Sequence, residues 1–182
     1  MGVSWELAFR PMVADDLRLL HDWLQRPHVQ RWWRKRETYE EVVEHYLPAI
    51  EGSDPTDHYI ALLGDRPIGM LQTYLVADYP KHATLMGVHG RGTAGIDILI
   101  GEEELTGQGI GTEVIRRFVA EVVFARPGTS SCVSDPAAEN VASVRAFEKA
   151  GFRTVGGHVD PADGETHALV RIDRQGAQSA PR

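Results

Sequence analysis

The chain contains almost none of the residues that build cross-links. Of its 182 residues only Cys132 is a cysteine, so no internal disulfide can form, and we expect a buried apolar thiol on a strand. The eight histidines are scattered along the sequence, and no Cys/His group shows the short ligand spacing of a zinc site. We therefore expect no metal ion.

Long apolar runs are also missing. No run approaches the roughly 18 residues that a membrane-spanning helix needs. The first residues lack a basic segment followed by an apolar one, which a secretory signal requires. We expect a cytoplasmic protein that does not associate with a membrane.

Positive charge is scarce. Lys and Arg number 19 against 26 Asp and Glu, and the formal net charge of −7 argues against a nucleic-acid partner. An acidic chain suits a cationic partner, which the electrostatic field of the protein would attract.

The length fits one domain with a full core, which we expect at residues 1–174. We expect a monomer or a homodimer. The small, polar residues 175–182 are expected to form a disordered tail.

Glycines are abundant at one place, and they form the most informative segment. The apolar run 95–101 is followed by the sequence LTGQGIGT at 105–112 and then by a helical pattern at 113–124. A strand, a glycine-rich turn and a helix start together present backbone N–H groups to a phosphate. No Lys follows Gly111, as a P-loop would require, and the glycine order differs from the dinucleotide-binding fingerprint.

A second segment, 135–152, has the features of a capped helix. Asn140 is a good N-cap, Lys149 lies in the expected last turn, and Gly151 follows at the position where helices end. The loop at 107–111 and this segment, which ends in Phe-Glu-Lys-Ala-Gly-Phe, resemble two motifs of the GCN5-related N-acetyltransferases in the same order. The resemblance covers most of the chain, from about residue 7 to residue 172.

This resemblance implies the fold and the cofactor site. The implied fold is an α+β mixed, mostly antiparallel twisted sheet of about seven strands and about four helices, with a splayed parallel pair at the acetyl-CoA site. Acetyl-CoA is the implied co-substrate. Its implied binding residues are Ile98, Leu99, Ile100, Gln108, Gly109, Ile110, Gly111, Thr112, Asn140, Ser143, Phe147 and Lys149.

Periodicity and turn residues predict the individual elements, and the segment 77–93 is expected to be a long connection without regular structure. Strands are predicted at 5–9, 58–63, 68–76, 94–100, 129–134, 153–159 and 166–172, and helices from 15 to Pro27, at 38–47, at 111–125 and at 140–150.

Further motifs narrow the resemblance to the aminoglycoside 6′-N-acetyltransferases, among them the pair Trp32-Trp33, Gly-Ile-Asp ending at Asp97, and the Asp-Pro pair at Asp135. The resemblance implies that Asp97 binds and deprotonates the reacting amine and that Asp135 holds a second ammonium of a polycationic sugar. Trp32, Trp33 and Tyr74 are candidates for the acceptor pocket. Each residue also has a purely structural alternative. Asp97 could be a solvent-facing carboxylate, Asp135 a turn residue, and the aromatic residues part of the core. Glu102 and its two acidic neighbours are expected to form a solvated face or an acidic rim.

Two positions depart from the family pattern. Thr106 stands where the loop commonly begins with Arg or Gln, and Phe147 replaces a tyrosine whose hydroxyl can protonate the leaving thiolate. We expect Phe147 to pack against the cofactor and water to supply that proton. The alternatives are a siderophore-type lysine or hydroxylysine N-acyltransferase, a protein acetyltransferase, and a non-catalytic acyl-CoA-binding domain. A His tends to replace Asp97 in the siderophore-type relatives, so Asp97 favours the aminoglycoside.

Overall fold

The computed structural model describes residues 5–33, 36–161 and 164–175, and within them seven strands and six α-helices. Residues 176–182 of the predicted tail lie outside this part of the chain. The elements are β1 Leu7–Pro11, α1 Leu17–Leu24, α2 Pro27–Trp33, α3 Tyr39–Ile50, β2 Asp57–Leu63, β3 Arg66–Leu75, α4 Pro80–Met86, β4 Thr93–Ile100, α5 Ile110–Phe118, β5 Ser131–Ser134, α6 Val141–Lys149, β6 Arg153–Val159 and β7 Thr166–Asp173.

The strands follow the order β1-β2-β3-β4-β5-β7-β6 in one mixed sheet. Antiparallel pairing joins β1 to β2, β2 to β3, β5 to β7 and β6 to β7, whereas β4 and β5 run parallel. The parallel register covers Thr93–Ser131, Ala94–Cys132 and Gly95–Val133, while β4 runs on to Ile100. The predicted mixed sheet of seven strands with one parallel pair is confirmed.

The chain groups into two compact units, of which the first comprises Met1–Thr73 and Asp97–Val114. Its helices form because apolar residues recur every three or four positions, so that Leu17, Leu20 and Leu24 of α1 are all buried. Thr38 caps α3, since its hydroxyl accepts a hydrogen bond from the Glu41 N–H and the Glu41 carboxylate accepts one of 2.7 Å from the Thr38 N–H.

The second unit comprises Tyr74–Ile96 and Ile115–Arg182. Its core brings Tyr74, Val133 and Leu169 together with residues of the segment between β3 and β4. The single cysteine, Cys132, is buried on β5, as expected.

Helix α4 corrects the prediction that residues 77–93 lack regular structure. Pro80 occupies its first turn, where a missing N–H does no harm, and Gly87 ends it in a left-handed conformation with φ 64°. A second correction concerns Pro27, which begins helix α2 as well as following the end of α1. These two helices, α2 and α4, raise the number within the described residues from the expected four to six.

No helix in the described part of the chain is both long and apolar enough to cross a membrane.

Candidate active site

Asp97 lies on β4 within the first unit, half-buried and held by a neighbouring strand. Its carboxylate Oδ2 accepts a hydrogen bond of 2.8 Å from the side-chain Nε2 of Gln72 on β3. The Oε1 of Gln72 lies 3.1 Å from Nε2 of His58 on β2, so three side chains form one hydrogen-bonded chain. Burial of a carboxylate without such a donor would be costly. The Gln72 and His58 partners were not predicted from the sequence.

The direction of these two hydrogen bonds determines which ring nitrogen of His58 carries the proton. Because the Gln72 amide nitrogen donates to Asp97, its oxygen must accept, and His58 therefore carries its proton on Nε2. Nδ1 of His58 is buried and has no hydrogen-bond partner within the described residues. Burial is the largest cause that lowers the pKa of His58 below its usual value, against the opposing hydrogen bond to Gln72.

The glycine-rich turn has the backbone geometry that the sequence predicted. Gly107 and Gly109 have φ of 73° and 87°, which L-residues rarely adopt, and α5 begins directly afterwards at Ile110. Gly111 is different, because its φ is ordinary and no atom of the described chain lies within 4 Å of a Cβ built there. Since neither conformation nor packing requires glycine at this helix position, close approach of a ligand to the backbone would explain it.

The other predicted residues of this loop have mixed surroundings. Ile110 is buried and anchors the helix start, whereas Gln108 is exposed and its side chain donates to the carbonyl of Glu104. Thr112 is half-buried in the first turn of α5. The N–H groups of a first helical turn have no partner within the helix, so this turn can bind an anion.

On β4, Leu99 is buried and Ile98 and Ile100 are half-buried. The carbonyl of Ile100 lies 3.0 Å from Nε2 of His28, so one of the backbone groups expected to meet the pantetheine amides already has a protein partner.

Glu102, directly after β4, belongs to an ion-pair network. The indole N–H of Trp23 donates to it at 3.0 Å, and Arg26 and Arg66 lie within 3.1 and 2.7 Å of its carboxylate. Burial alone would raise its pKa, but hydrogen bonds from Trp23 and Arg26 outweigh burial, and the pKa of Glu102 is lowered. Gly101 must be glycine because a Cβ there would collide with the Trp23 ring. Glu102 thus fastens the strand end, while its two acidic neighbours are exposed.

The two tryptophans have different surroundings. Trp33 packs against the core of the first unit, whereas Trp32 is half-buried and carries the guanidinium of Arg31 at 4.8 Å from its ring centroid. The face of Trp32 therefore already accommodates a cation.

Tyr74, in the second unit, is only 7% exposed. Its ring lies against Gly95, where a Cβ would collide with it, and meets Tyr79 edge-on at 5.2 Å. Core packing accounts for the position of this ring.

Helix α6 of the second unit is capped as predicted, because Oδ1 of Asn140 accepts a hydrogen bond of 3.1 Å from the N–H of Ser143. Phe147 is 1% exposed and packs edge-on against Phe152 at 5.0 Å between ring centroids. Lys149 is exposed at the helix end.

Asp135 follows β5 and is surrounded by histidines. Its carboxylate Oδ2 lies 3.3 Å from Nε2 of His158 on β6 and 3.7 Å from Nε2 of His82 on α4. Its backbone carbonyl accepts a hydrogen bond of 2.6 Å from Nδ1 of His167 on β7. Spacing along the sequence gave no sign of this group. The one feature from which this group could have been found is the β6–β7 hairpin, which pairs His158 with His167 directly across the strands.

The mixed sheet with its parallel pair, the left-handed glycine turn before a helix and the carboxylate on the preceding strand together have the arrangement of an N-acetyltransferase. The family model described as acetyltransferase (GNAT) domain matches residues 12–160. The chain belongs to this family.

Individual relatives are more specific. The chain is 33% identical over 172 residues to an aminoglycoside N(6′)-acetyltransferase type 1 of Klebsiella pneumoniae, a match that covers 91% of this chain and 82% of the relative. It is similar to the solved structure of the aminoglycoside acetyltransferase AAC(6′)-Ib in complex with coenzyme A and kanamycin, with a TM-score of 0.79, 31% identity, and coverage of 93% of this chain and 96% of that one. An N(6)-hydroxylysine O-acetyltransferase of Escherichia coli is 25% identical over 82% of this chain, which spans about half (47%) of that relative.

Proposed function

We propose that the protein is an aminoglycoside 6′-N-acetyltransferase, which transfers the acetyl group of acetyl-CoA directly to a primary amine and so confers aminoglycoside resistance. The observation that carries this proposal is Asp97, a half-buried carboxylate on β4 held in place by Gln72. The relatives named as aminoglycoside N(6′)-acetyltransferases support the choice of acceptor.

Asp97 is the group that prepares the amine. Most alkyl amines are ammonium ions near pH 7 and must lose a proton before their nitrogen can attack. Asp97 binds the ammonium, orients it and accepts its proton, directly or through one water. The new N–C bond then forms as the thioester C–S bond breaks, and water protonates the departing thiolate because Phe147 has no proton to give.

The loop and the two helices that follow it hold acetyl-CoA, which supplies the acetyl group as an activated thioester. The backbone N–H groups of 108–112 bind its pyrophosphate, and Asn140, Ser143 and Lys149 line its path. Gly109 and Gly111 suit this role because no atom of the described chain lies within 4 Å of a Cβ built at either position.

Two further residues are assigned contacts with the sugar in this proposal. Asp135 binds a second ammonium of the sugar through its carboxylate. Trp32 provides an apolar wall, since its ring already accommodates the Arg31 guanidinium. Trp33 and Tyr74 pack in the cores of their own units.

The first experiment measures thiol release from acetyl-CoA with kanamycin, a 6′-hydroxyl aminoglycoside and hydroxylysine as parallel acceptors. We expect turnover with kanamycin alone and a loss of about 10²- to 10⁴-fold in Asp97→Asn, since that is the usual contribution of a general base. Asp22→Asn is the matched control, because Asp22 is 64% exposed on α1, and it should keep the wild-type rate. Equal rates in the two variants would contradict the role of Asp97.

Turnover with hydroxylysine alone would contradict the aminoglycoside proposal and favour the function of the hydroxylysine acetyltransferase relative. Tight binding of acetyl-CoA without turnover of any acceptor would favour the acyl-CoA-binding alternative.

A further inference from the structure

The group around Asp135 has the composition of a transition-metal site. Donor atoms of Asp135, His158 and His167 all lie within 4.8 Å of one another. His158 and His167 are direct cross-strand partners on β6 and β7, so their side chains project from the same face of the hairpin. Their rings lie nearly parallel, with centroids 5.5 Å apart and an interplanar angle of 18°.

Hydrogen bonds among the described residues do not account for the buried ring of His158. Its side chain is only 8% exposed, and neither ring nitrogen has a hydrogen-bond partner among the described residues. Nε2 lies 3.3 Å from Oδ2 of Asp135 but outside hydrogen-bond geometry. A buried polar ring without a partner is costly, and a cation shared between Nε2 and Oδ2 would give Nε2 a partner.

The tautomer of His167 suits a metal. Nδ1 of His167 donates to the carbonyl of Asp135 at 2.6 Å, which leaves its lone pair on Nε2. A backbone carbonyl that fixes the tautomer of a histidine is the usual support of a metal-binding imidazole.

We propose that Asp135, His158 and His167 bind a divalent transition-metal ion of the zinc type, through one carboxylate oxygen and two imidazole nitrogens. Imidazole and carboxylate are ligands that zinc accepts readily. His82, whose Nε2 lies 3.7 Å from Oδ2 of Asp135, or a water occupies the fourth position.

The distances require only small rotations of side chains. Ligand atoms of a tetrahedral zinc with bonds of about 2.0–2.1 Å lie about 3.4 Å apart. The His158–Asp135 separation of 3.3 Å already matches this value, and all donor atoms of the group lie within 4.8 Å of one another. His82 is 32% exposed, so the fourth position lies on the side from which an ion can enter.

The test is a titration of the whole protein, prepared without a histidine tag and stripped with a chelator. Isothermal titration calorimetry with Zn²⁺ should give one site per chain, and Co²⁺ should give the visible absorption of a tetrahedral complex. We expect His158→Gln and His167→Gln each to lose at least tenfold in Zn²⁺ affinity and to lose the Co²⁺ bands. His89→Gln, which changes an exposed histidine, should titrate as wild type.

Circular dichroism and melting temperatures without metal show whether each variant is folded, and a folded variant is required for the comparison. Asp135→Asn provides a second variant that removes the charge while keeping the shape. Absence of a one-to-one site in the wild type, or unchanged affinity in folded His158→Gln and His167→Gln, would overturn the proposal. The titration is run without aminoglycoside, because a metal ion on Asp135 would compete with the ammonium that the proposed function assigns to this carboxylate. Its readout is metal binding alone, so loss of acetyl transfer would leave it unchanged, and absence of a metal site would leave the proposed function standing.

Discussion

At the scale of single residues, Asp97 is positioned by its neighbours as much as by its own strand. Gln72 donates to the carboxylate and accepts from His58, so the rotamer of Gln72 is fixed from both ends. A carboxylate that must meet an amine within hydrogen-bond reach benefits from such support, because small displacements of a reacting group are costly in rate. Gln72 is therefore a positioning residue for Asp97.

We predict that Gln72→Leu lowers kcat/KM for the aminoglycoside by about 10- to 100-fold. A hydrogen bond to a charged group contributes roughly 1.5–3 kcal/mol, and about 1.4 kcal/mol corresponds to tenfold in rate. Steady-state kinetics with both substrates varied checks this, because KM for acetyl-CoA should not change. Gln30→Leu on α2 serves as the control, because the amide of Gln30 makes its hydrogen bond at the surface, to Gln25. A wild-type kcat/KM in Gln72→Leu would show that Asp97 needs no support.

The sequence indicated Asp97 and Asp135 because each belongs to a short motif of its own. Their partners come from other strands and helices and depend on register. His58 faces Gln72 because the β2–β3 pairing places them opposite each other. His82 reaches Asp135 only because α4 exists, and this helix was not predicted. A pattern within one segment contains no information about such pairings.

At the scale of elements, the turn before α5 separates two uses of glycine. Gly107 and Gly109 have positive φ and are needed for the turn itself, whereas Gly111 has a helical backbone and open space around it. A glycine in a helix is about 1 kcal/mol less favourable than alanine. The protein therefore carries a small local destabilisation, which the close approach of a bound ligand would explain.

We predict that Gly111→Ala makes the protein more stable by up to about 1 kcal/mol and weakens coenzyme A binding. The added methyl meets no atom of the described chain within 4 Å, but it would project where the pyrophosphate approaches the amides. Melting temperature and calorimetric titration with coenzyme A measure the two effects.

Gly156→Ala on β6 is the matched control for this substitution, because its surroundings are equally open and its φ is ordinary. It should leave coenzyme A affinity unchanged. If Gly111→Ala binds coenzyme A as tightly as wild type, the first turn of α5 is not the pyrophosphate site.

Most elements were predictable because they show clear periodicity and clear ends. Helix α6 has both, with Asn140 as cap and Gly151 at φ 105° just beyond its end. Helix α4 was missed because its seven residues are too short for a periodic pattern, although Pro80 and Gly87 mark its ends. A short helix is easier to recognise in a sequence from the residues at its ends than from an apolar face.

At the scale of the whole molecule, stability depends on histidines that folding keeps neutral. Burial is the largest cause of the lowered pKa of both His58 and His158, which belong to different units of the chain. In the unfolded chain each histidine titrates near pH 6.5. Between that pH and the lower pKa of the folded state, the unfolded chain binds more protons, so the free energy of unfolding falls as the solution becomes more acidic.

We therefore predict that the free energy of unfolding is largest above about pH 6.5 and decreases as pH falls below this value, before the carboxylates titrate. The free energy of unfolding of His58→Gln should decrease less than that of wild type over the same range. The difference should be about 1.4 kcal/mol for each unit by which folding lowers the pKa of His58. Urea denaturation at a series of pH values between 7.5 and 5 measures the slope. His89→Gln, at an exposed histidine, is the control and should keep the wild-type slope. Parallel curves for wild type and His58→Gln would mean that His58 is protonated as easily in the folded protein as in the unfolded chain, and the hydrogen-bonded chain from His58 to Asp97 would then need a different assignment of protons.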